Sequence, residues 1–202
     1  MKKTTVGFAM TGSFCTFDAV LAQMEELVRR DYDVLPILSY NAAELDTRFM
    51  TAKHLHERLR AITGHEPIET LQGAEPIGPR KMTDVYVIAP ATGNSLAKLA
   101  SGIFDTPVLL GAKSHLRNDR PLVLAVSTND ALSTAAQNIG RLLMWRNTYL
   151  VPLRQDNAMQ KPRSLVADFS LLTKTIASAL CGVQLQPITC APLGVSTEEA
   201  RK

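Results

Sequence analysis

Apolar residues along this chain follow two rhythms. Some form short unbroken runs closed by small polar residues. These are residues 4–10 (TTVGFAM) before Thr11-Gly12-Ser13, residues 33–39 (DVLPILS), residues 84–89 (DVYVIA) before Pro90-Ala91-Thr92-Gly93-Asn94-Ser95, and residues 121–126 (PLVLAV) before Ser127-Thr128-Asn129-Asp130. Runs of this length and composition predict strands buried on both faces. Other apolar residues recur every three or four positions. Phe17, Val20, Leu21, Met24, Leu27 and Val28 mark a helix over 16–30, with Asp18 in its first turn and Arg29 and Arg30 in its last, as the helix dipole favours. A second helix is predicted over 47–63 with Gly64 as its stop. Leu96 and Leu99 mark a third, after residue 95. A fourth reaches about Trp145, with Leu132, Ala135, Ala136, Ile139, Leu142 and Leu143 inward. A fifth spans 164–180, with Leu165, Phe169, Leu172 and Ile176 on one face and Gly182 as its stop. Residues 147–152 read as a short strand and residues 64–82, rich in Gly and Pro, as an extended loop. Residues 106–110 (TPVLL) fit either strand or helix.

Strand, helix, strand with short joints is a crossover unit, and such units imply a parallel sheet. The predicted class is α/β, a three-layer Rossmann-like fold around a central parallel sheet. The 202 residues suit one domain, drawn over 1–188, with 189–202 as a flexible tail.

Composition narrows the function. At 46% hydrophobic and 20% charged the chain is globular. No apolar run approaches the roughly 20 residues that cross a bilayer, and the N-terminus lacks a signal-peptide core, so a cytoplasmic protein without a membrane partner is expected. The 22 basic and 19 acidic residues are well mixed and form no basic stripe, which argues against nucleic acid. Cys15, Cys181 and Cys190 have no CxxC spacing, and His54 and His56 point apart on a helix, so neither a disulfide frame nor a metal site is expected.

In an open parallel sheet, ligands bind beyond the carboxyl ends of the strands. Here four such ends carry small hydroxyl or amide residues. The candidate cofactor-binding set is Thr11, Gly12, Ser13, Phe14, Ser39, Ala91, Thr92, Asn94, Ser95, Ser127, Thr128 and Asn129. Helix capping and turns explain any one cluster. Four at one rim point to a phosphate held by hydroxyls and free N–H groups. No GxGxxG follows the first strand and no GxxxxGK[ST] occurs, which disfavours a dinucleotide or a triphosphate. One phosphate without lysine or magnesium suits a mononucleotide such as FMN. Ser13 has no GxSxG setting for a nucleophile. Cys15 reads as a small buried apolar residue, Trp145 and Tyr149 as core, and Arg141 and Arg146 as a solvated helix face.

These residues carry a resemblance. Residues 8–13 (FAMTGS) resemble the first phosphate loop of the flavin-containing cysteine decarboxylase superfamily. Residues 89–100 (APATGNSLAKLA) resemble that superfamily's Pro-Ala-Ser/Thr-Ala-Asn-Thr motif and its following helix. Residues 112–117 (AKSHLR) and 144–147 (MWRN) are similar to the flavoprotein B subunits of bacterial dipicolinate synthases, a branch of the same group. The resemblance covers about residues 4–182 and implies a helix over 104–118. The chain departs from the decarboxylases at their catalytic histidine, whose slot falls near Pro76. It also departs at their Pro-x-Met-Asn motif, which aligns with residues 126–129 and keeps only Asn129.

The resemblance implies a flavin-dependent oxidoreductase subunit that works with an A subunit. Together they would oxidise a dihydrodipicolinate-type precursor to pyridine-2,6-dicarboxylate for sporulation. It also implies a homo-oligomer. A dicarboxylate calls for an arginine, with Arg117, Arg120, Arg141 and Arg146 as candidates. The alternatives are an FMN-dependent decarboxylase of a cysteine-derived substrate and a non-catalytic partner subunit. No catalytic residue is assigned.

Overall fold

The computed structural model describes residues 3–191. In chain order the elements are β1 (Thr5–Met10), α1 (Phe17–Arg29), β2 (Asp33–Leu38), α2 (Tyr40–Glu44), α3 (Ala52–Thr63), α4 (Leu71–Ala74), β3 (Val85–Ala91), α5 (Gly93–Ala100), α6 (Pro107–Leu116), β4 (Leu122–Thr128), α7 (Ala136–Leu143), β5 (Thr148–Leu150), β6 (Leu153–Arg154), β7 (Leu165–Ala167) and α8 (Leu172–Leu180). Strands run in the order β2-β1-β3-β4-β7-β6, with β5 also on β4. The first four are parallel and almost wholly buried, which is why they read as unbroken apolar runs. The free edge of β4 is shared: β5 pairs in parallel with Leu122–Leu124, and β7 pairs antiparallel with Ser127 and Thr128. The sheet is therefore mixed, not purely parallel, because β6 and β7 turn back on each other beyond the last crossover.

Helices α1, α3 and α8 form one packed group, and α5, α6 and α7 another. Phe8, Val87, Leu124, Leu21 and Ile176 are among the side chains buried between sheet and helices. Tyr86 is fully buried in β3, and its hydroxyl donates to the Val108 carbonyl at 2.9 Å. A Cβ on Gly111 would lie 2.5 Å from that hydroxyl and one on Gly7 2.8 Å from the ring, so both neighbours of this tyrosine are glycine for want of space. Within the described residues no helix is long and apolar enough to cross a membrane.

Several boundaries differ from the sequence reading. The second predicted helix begins at Ala52, not 47, because Thr51 caps it by accepting from the His54 N–H, while Thr47 closes a separate turn. The unpredicted α2 follows Ser39. Residues 64–82 are not an extended loop: Ile68 pairs with Ile37 beside β2, and Thr70 caps α4. The helix ending near Trp145 starts at Ala136, since Asp130 gathers turns beneath it, and Leu132 is 52% exposed instead of inward. Leu143 is also exposed. The last helix starts at Leu172, because Leu165 belongs to β7 and Asp168 opens a fresh turn by accepting from the Ser170 N–H. Gly182 stops it in the left-handed region, φ 75°. Residues 107–116 are helical, as the family pattern implies, with Thr106 as the cap. Of the tail drawn over 189–202, Thr189 pairs with Leu153 and the Cys190 N–H donates to the Leu153 carbonyl at 2.7 Å. Residues 192–202 lie outside the described residues.

Candidate functional site

The chain steps from β1 to β2 in one direction and from β3 to β4 in the other. The winding thus reverses between β1 and β3, and crossovers that leave on opposite faces open a crevice beyond those strand ends. Thr11 ties the two ends together. Its hydroxyl donates to the Pro90 carbonyl at 2.7 Å and accepts from the Thr92 N–H at 3.2 Å.

A two-lobed cavity lies at this seam, and Gly12 and Thr92 border both lobes. The larger lobe, about 600 Å³, takes in Ser13, Cys15, Ser127, Thr128 and Asn129, and is completed by Asp156, Lys161 and Ser164 from the connection between β6 and β7. The smaller, about 380 Å³, takes in Thr11, Ser39, Asn41, Asn94, Ser95 and Lys98. Both volumes are of ligand size. Of the residues proposed from sequence, only Phe14 and Ala91 border neither lobe. The Phe14 ring packs 5.1 Å from that of Phe17, and Ala91 is buried as the last residue of β3. Ser13 and Ser39 face different lobes, on the two sides of Gly12.

The hydroxyls serve the fold first: Thr11 and Thr128 donate theirs to the Pro90 carbonyl and to Asp130. Thr92 caps α5 by accepting from the Ser95 N–H, and Ser39 caps α2 by accepting from the Ala42 N–H, both at 3.3 Å. A hydroxyl that accepts a backbone bond keeps its proton to donate. Ser13 and Ser127 meet Oγ to Oγ at 2.9 Å, joining the ends of β1 and β4. Thr128 donates to Asp130 at 2.6 Å, and a Cβ on Gly93 would stand 2.7 Å from that threonine oxygen. Glycine at 93 is what lets the third loop pass the fourth.

Lys161 is the cation of the larger lobe, and sequence reasoning missed it. Its ammonium donates to Asp156 at 2.8 Å, which raises the lysine pKa and keeps the group charged. Burial pushes the Asp156 carboxyl up, but hydrogen bonds from Lys161 and Ser164 and the lysine charge outweigh it and leave the carboxyl below its usual range. In the smaller lobe Lys98 is held by both Asp105 oxygens, at 2.7 and 2.9 Å. Cys15, expected to be buried, is exposed at the mouth of the larger lobe, because the turn before α1 faces the cavity.

None of the four candidate arginines borders the cavity. Arg120 donates to the Thr83 carbonyl and pairs with Asp84, Arg141 is exposed on the last turn of α7, and Arg117 and Arg146 border a cleft at the opposite end of the sheet, with Trp145. Among the described residues no histidine borders it either. His65 pairs with Asp33 at the start of β2 at 2.8 Å, and His115 is buried between Thr83 and the Pro121 carbonyl. Among the described residues no cluster of three His, Cys, Asp or Glu is suited to a metal.

Fold and cavity together define a class: doubly wound α/β proteins with a hydroxyl-lined cavity at the switch point. The chain belongs to the Flavoprotein family, whose model matches residues 1–167, and within it is a homologue of the B subunit of dipicolinate synthase. It is 44% identical over 188 residues to the protein of that kind from Bacillus subtilis, covering 93% of this chain and 94% of that protein. The solved structure of the B subunit of dipicolinate synthase from Bacillus halodurans superposes with a TM-score of 0.85 at 43% identity, over 93% of this chain and 96% of that one. A more distant fold neighbour is Burkholderia xenovorans DmrB, described as a cubic protein cage in complex with FMN. Its TM-score is 0.67 at 21% identity, over 89% and 96% of the two chains.

Proposed function

We propose that this chain is the flavoprotein subunit of a dipicolinate synthase. It would hold FMN in the two-lobed cavity and act with an A subunit in oxidising a dihydrodipicolinate-type precursor to pyridine-2,6-dicarboxylate for sporulation. The observation that carries this reading is the cavity itself, a hydroxyl-lined space at the seam of β1 and β3 with one cation, Lys161, set apart in the larger lobe.

The residues fit a flavin mononucleotide. Gly12 borders both lobes without a side chain, so its backbone can be approached closely. Ser13 and Ser39 stand on either side of it and would hold the phosphate, with Asn94 on the ribityl chain or the ring. No dinucleotide fingerprint is present to accept a second phosphate. Bound there, a flavin supplies an acceptor for the hydride equivalent that aromatisation releases. Lys161 would bind a substrate carboxylate as a point charge, in place of the arginine expected from sequence. Asp156 would hold that ammonium in position and keep it protonated. Asn129 and Ser127 would orient the same substrate by hydrogen bonds. A second copy of the chain closing over the rim would exclude water, so a homo-oligomer is expected. The decarboxylase alternative lacks a histidine at the cavity.

The cofactor reading is tested by denaturing the purified protein and chromatographing the released ligand. FMN is expected; FAD, a nicotinamide or no ligand at all overturns it. The reaction is tested by following dipicolinate formation with the A subunit alone and with both chains. A rate that ignores this chain overturns the catalytic role and leaves a non-catalytic partner.

A further inference from the structure

Residues 112–117 and 144–147, which carry the resemblance to B subunits, lie away from the cofactor cavity. They meet in a separate cleft of about 480 Å³ at the amino ends of β4 and β5. Phe104, Leu116 and Trp145 border it, with Lys113, Arg117 and Arg146 against a single acid, Asp119. The Lys113 ammonium sits 4.8 Å from the Phe104 ring centre, and Arg146 is 3.7 Å from Asp119. The neighbouring chain positions are apolar and in water: Met144 is 79% exposed, Ile103 46% and Leu143 44%. Aromatic side chains, methionine and arginine around a cleft are the composition of an interface centre. A small anion would engage the cationic edge and leave Met144 and Ile103 wet, which favours a larger occupant.

We propose that this cleft docks the companion A subunit, through a segment that carries an aromatic or aliphatic anchor flanked by carboxylates. The anchor would fill the space between Phe104 and Trp145, and the carboxylates would meet Arg117 and Arg146. Three cations against one carboxylate set the sign of the partner. Because the cleft lies at the opposite end of the sheet from Gly12, docking leaves the rim open to substrate. The inference rests on the two-subunit reading above.

The test uses biolayer interferometry to measure binding of the purified A subunit to the full-length, flavin-loaded chain, at low and high salt. The wild type should bind, more weakly as salt rises. Met144→Glu and the double variant Arg117→Glu/Arg146→Glu should each weaken binding by about ten-fold or more. Flavin content and melting temperature should stay at wild-type values, since all three side chains lie on the surface away from the cofactor cavity. Variants that bind like the wild type overturn the docking surface and leave the two-subunit reading standing. A wild type that does not bind the A subunit overturns both. Variants that break a homo-oligomer in light scattering but keep the A subunit assign the cleft to a second copy, and also overturn the proposal.

Discussion

Gly12 separates two demands that usually coincide, tolerance of the fold and tolerance of the ligand. An alanine Cβ at position 12 would meet the Phe14 ring at 3.5 Å and the Asn41 Cβ at 3.8 Å, which is ordinary van der Waals contact. The glycine φ also lies outside the left-handed region. The fold should therefore accept Gly12→Ala, and the loss of freedom in the unfolded chain should stabilise it by about 0.4–1 kcal/mol. The same methyl stands where both lobes meet. Crowding a bound molecule by one methyl costs about 1–3 kcal/mol when the surroundings cannot yield, or roughly five- to 150-fold in affinity. Gly12→Val should do more. The assay is titration of FMN into apoprotein by quenching of flavin fluorescence, alongside thermal melts of the apoproteins. Gly140→Ala is the control, because nothing lies within 4 Å of a Cβ there and Gly140 borders neither lobe. It should stabilise by a similar amount and bind FMN like the wild type. If Gly12→Ala bound FMN with unchanged affinity, the backbone at 12 would not be the face the cofactor approaches. A strongly destabilised Gly12→Ala apoprotein would show that the glycine serves the fold.

Three further outcomes follow from the same geometry. Ser13→Asp should abolish FMN binding in calorimetry, because a carboxylate would face the phosphate across a cavity that holds one cation in its larger lobe; unchanged affinity would move the phosphate elsewhere. Lys161→Gln should raise KM for the dicarboxylate by about ten-fold or more while flavin content stays constant, as expected for losing a charge-assisted contact of about 1.5–3 kcal/mol; an unchanged KM would remove Lys161 from substrate binding. His115 is 1% exposed, and burial lowers its pKa to about 4, against the upward pull of the Pro121 carbonyl. The stability it contributes is complete above the unfolded value near 6.5 and is lost as pH falls toward 4, about 2 kcal/mol of it by pH 5. Urea melts at pH 7 and 5 should show this loss shrinking in His115→Gln, and an identical loss in both proteins would refute the assignment.

What could be read from sequence was what local chemistry decides. The four buried strands appear as unbroken apolar runs because a parallel sheet hides both of its faces. Helix starts are set by capping residues that periodicity alone does not show, as at Thr51, Thr92, Thr106 and Asp168. The stretch 64–82 misled because its glycines and prolines mark short turns, while its order comes from non-local ties. Ile68 borrows the edge of β2, and Gly78 packs so closely on Ser114 that a Cβ would fall 2.1 Å from that residue's carbonyl oxygen. The β6 and β7 strands, of two and three residues, are too short to show a period, and with them went Asp156, Lys161 and Ser164.

The same limit explains why the rim residues carry two readings. A serine or threonine after a buried strand is both a good helix cap and a good phosphate donor, and composition cannot separate the two. At Ser39 the roles are compatible: the cap uses the oxygen as an acceptor and leaves the proton free. What brings the four strand ends to one cavity is the reversal of winding between β1 and β3, which gathers loops some eighty residues apart around Gly12. The candidate arginines stand away from the cavity for the converse reason. Arg117 and Arg146 follow elements that run back to the amino ends of the strands, so the sheet carries them away from the rim. The cations that border the cavity are instead Lys98 in the smaller lobe and Lys161 in the larger, the latter on the connection between β6 and β7.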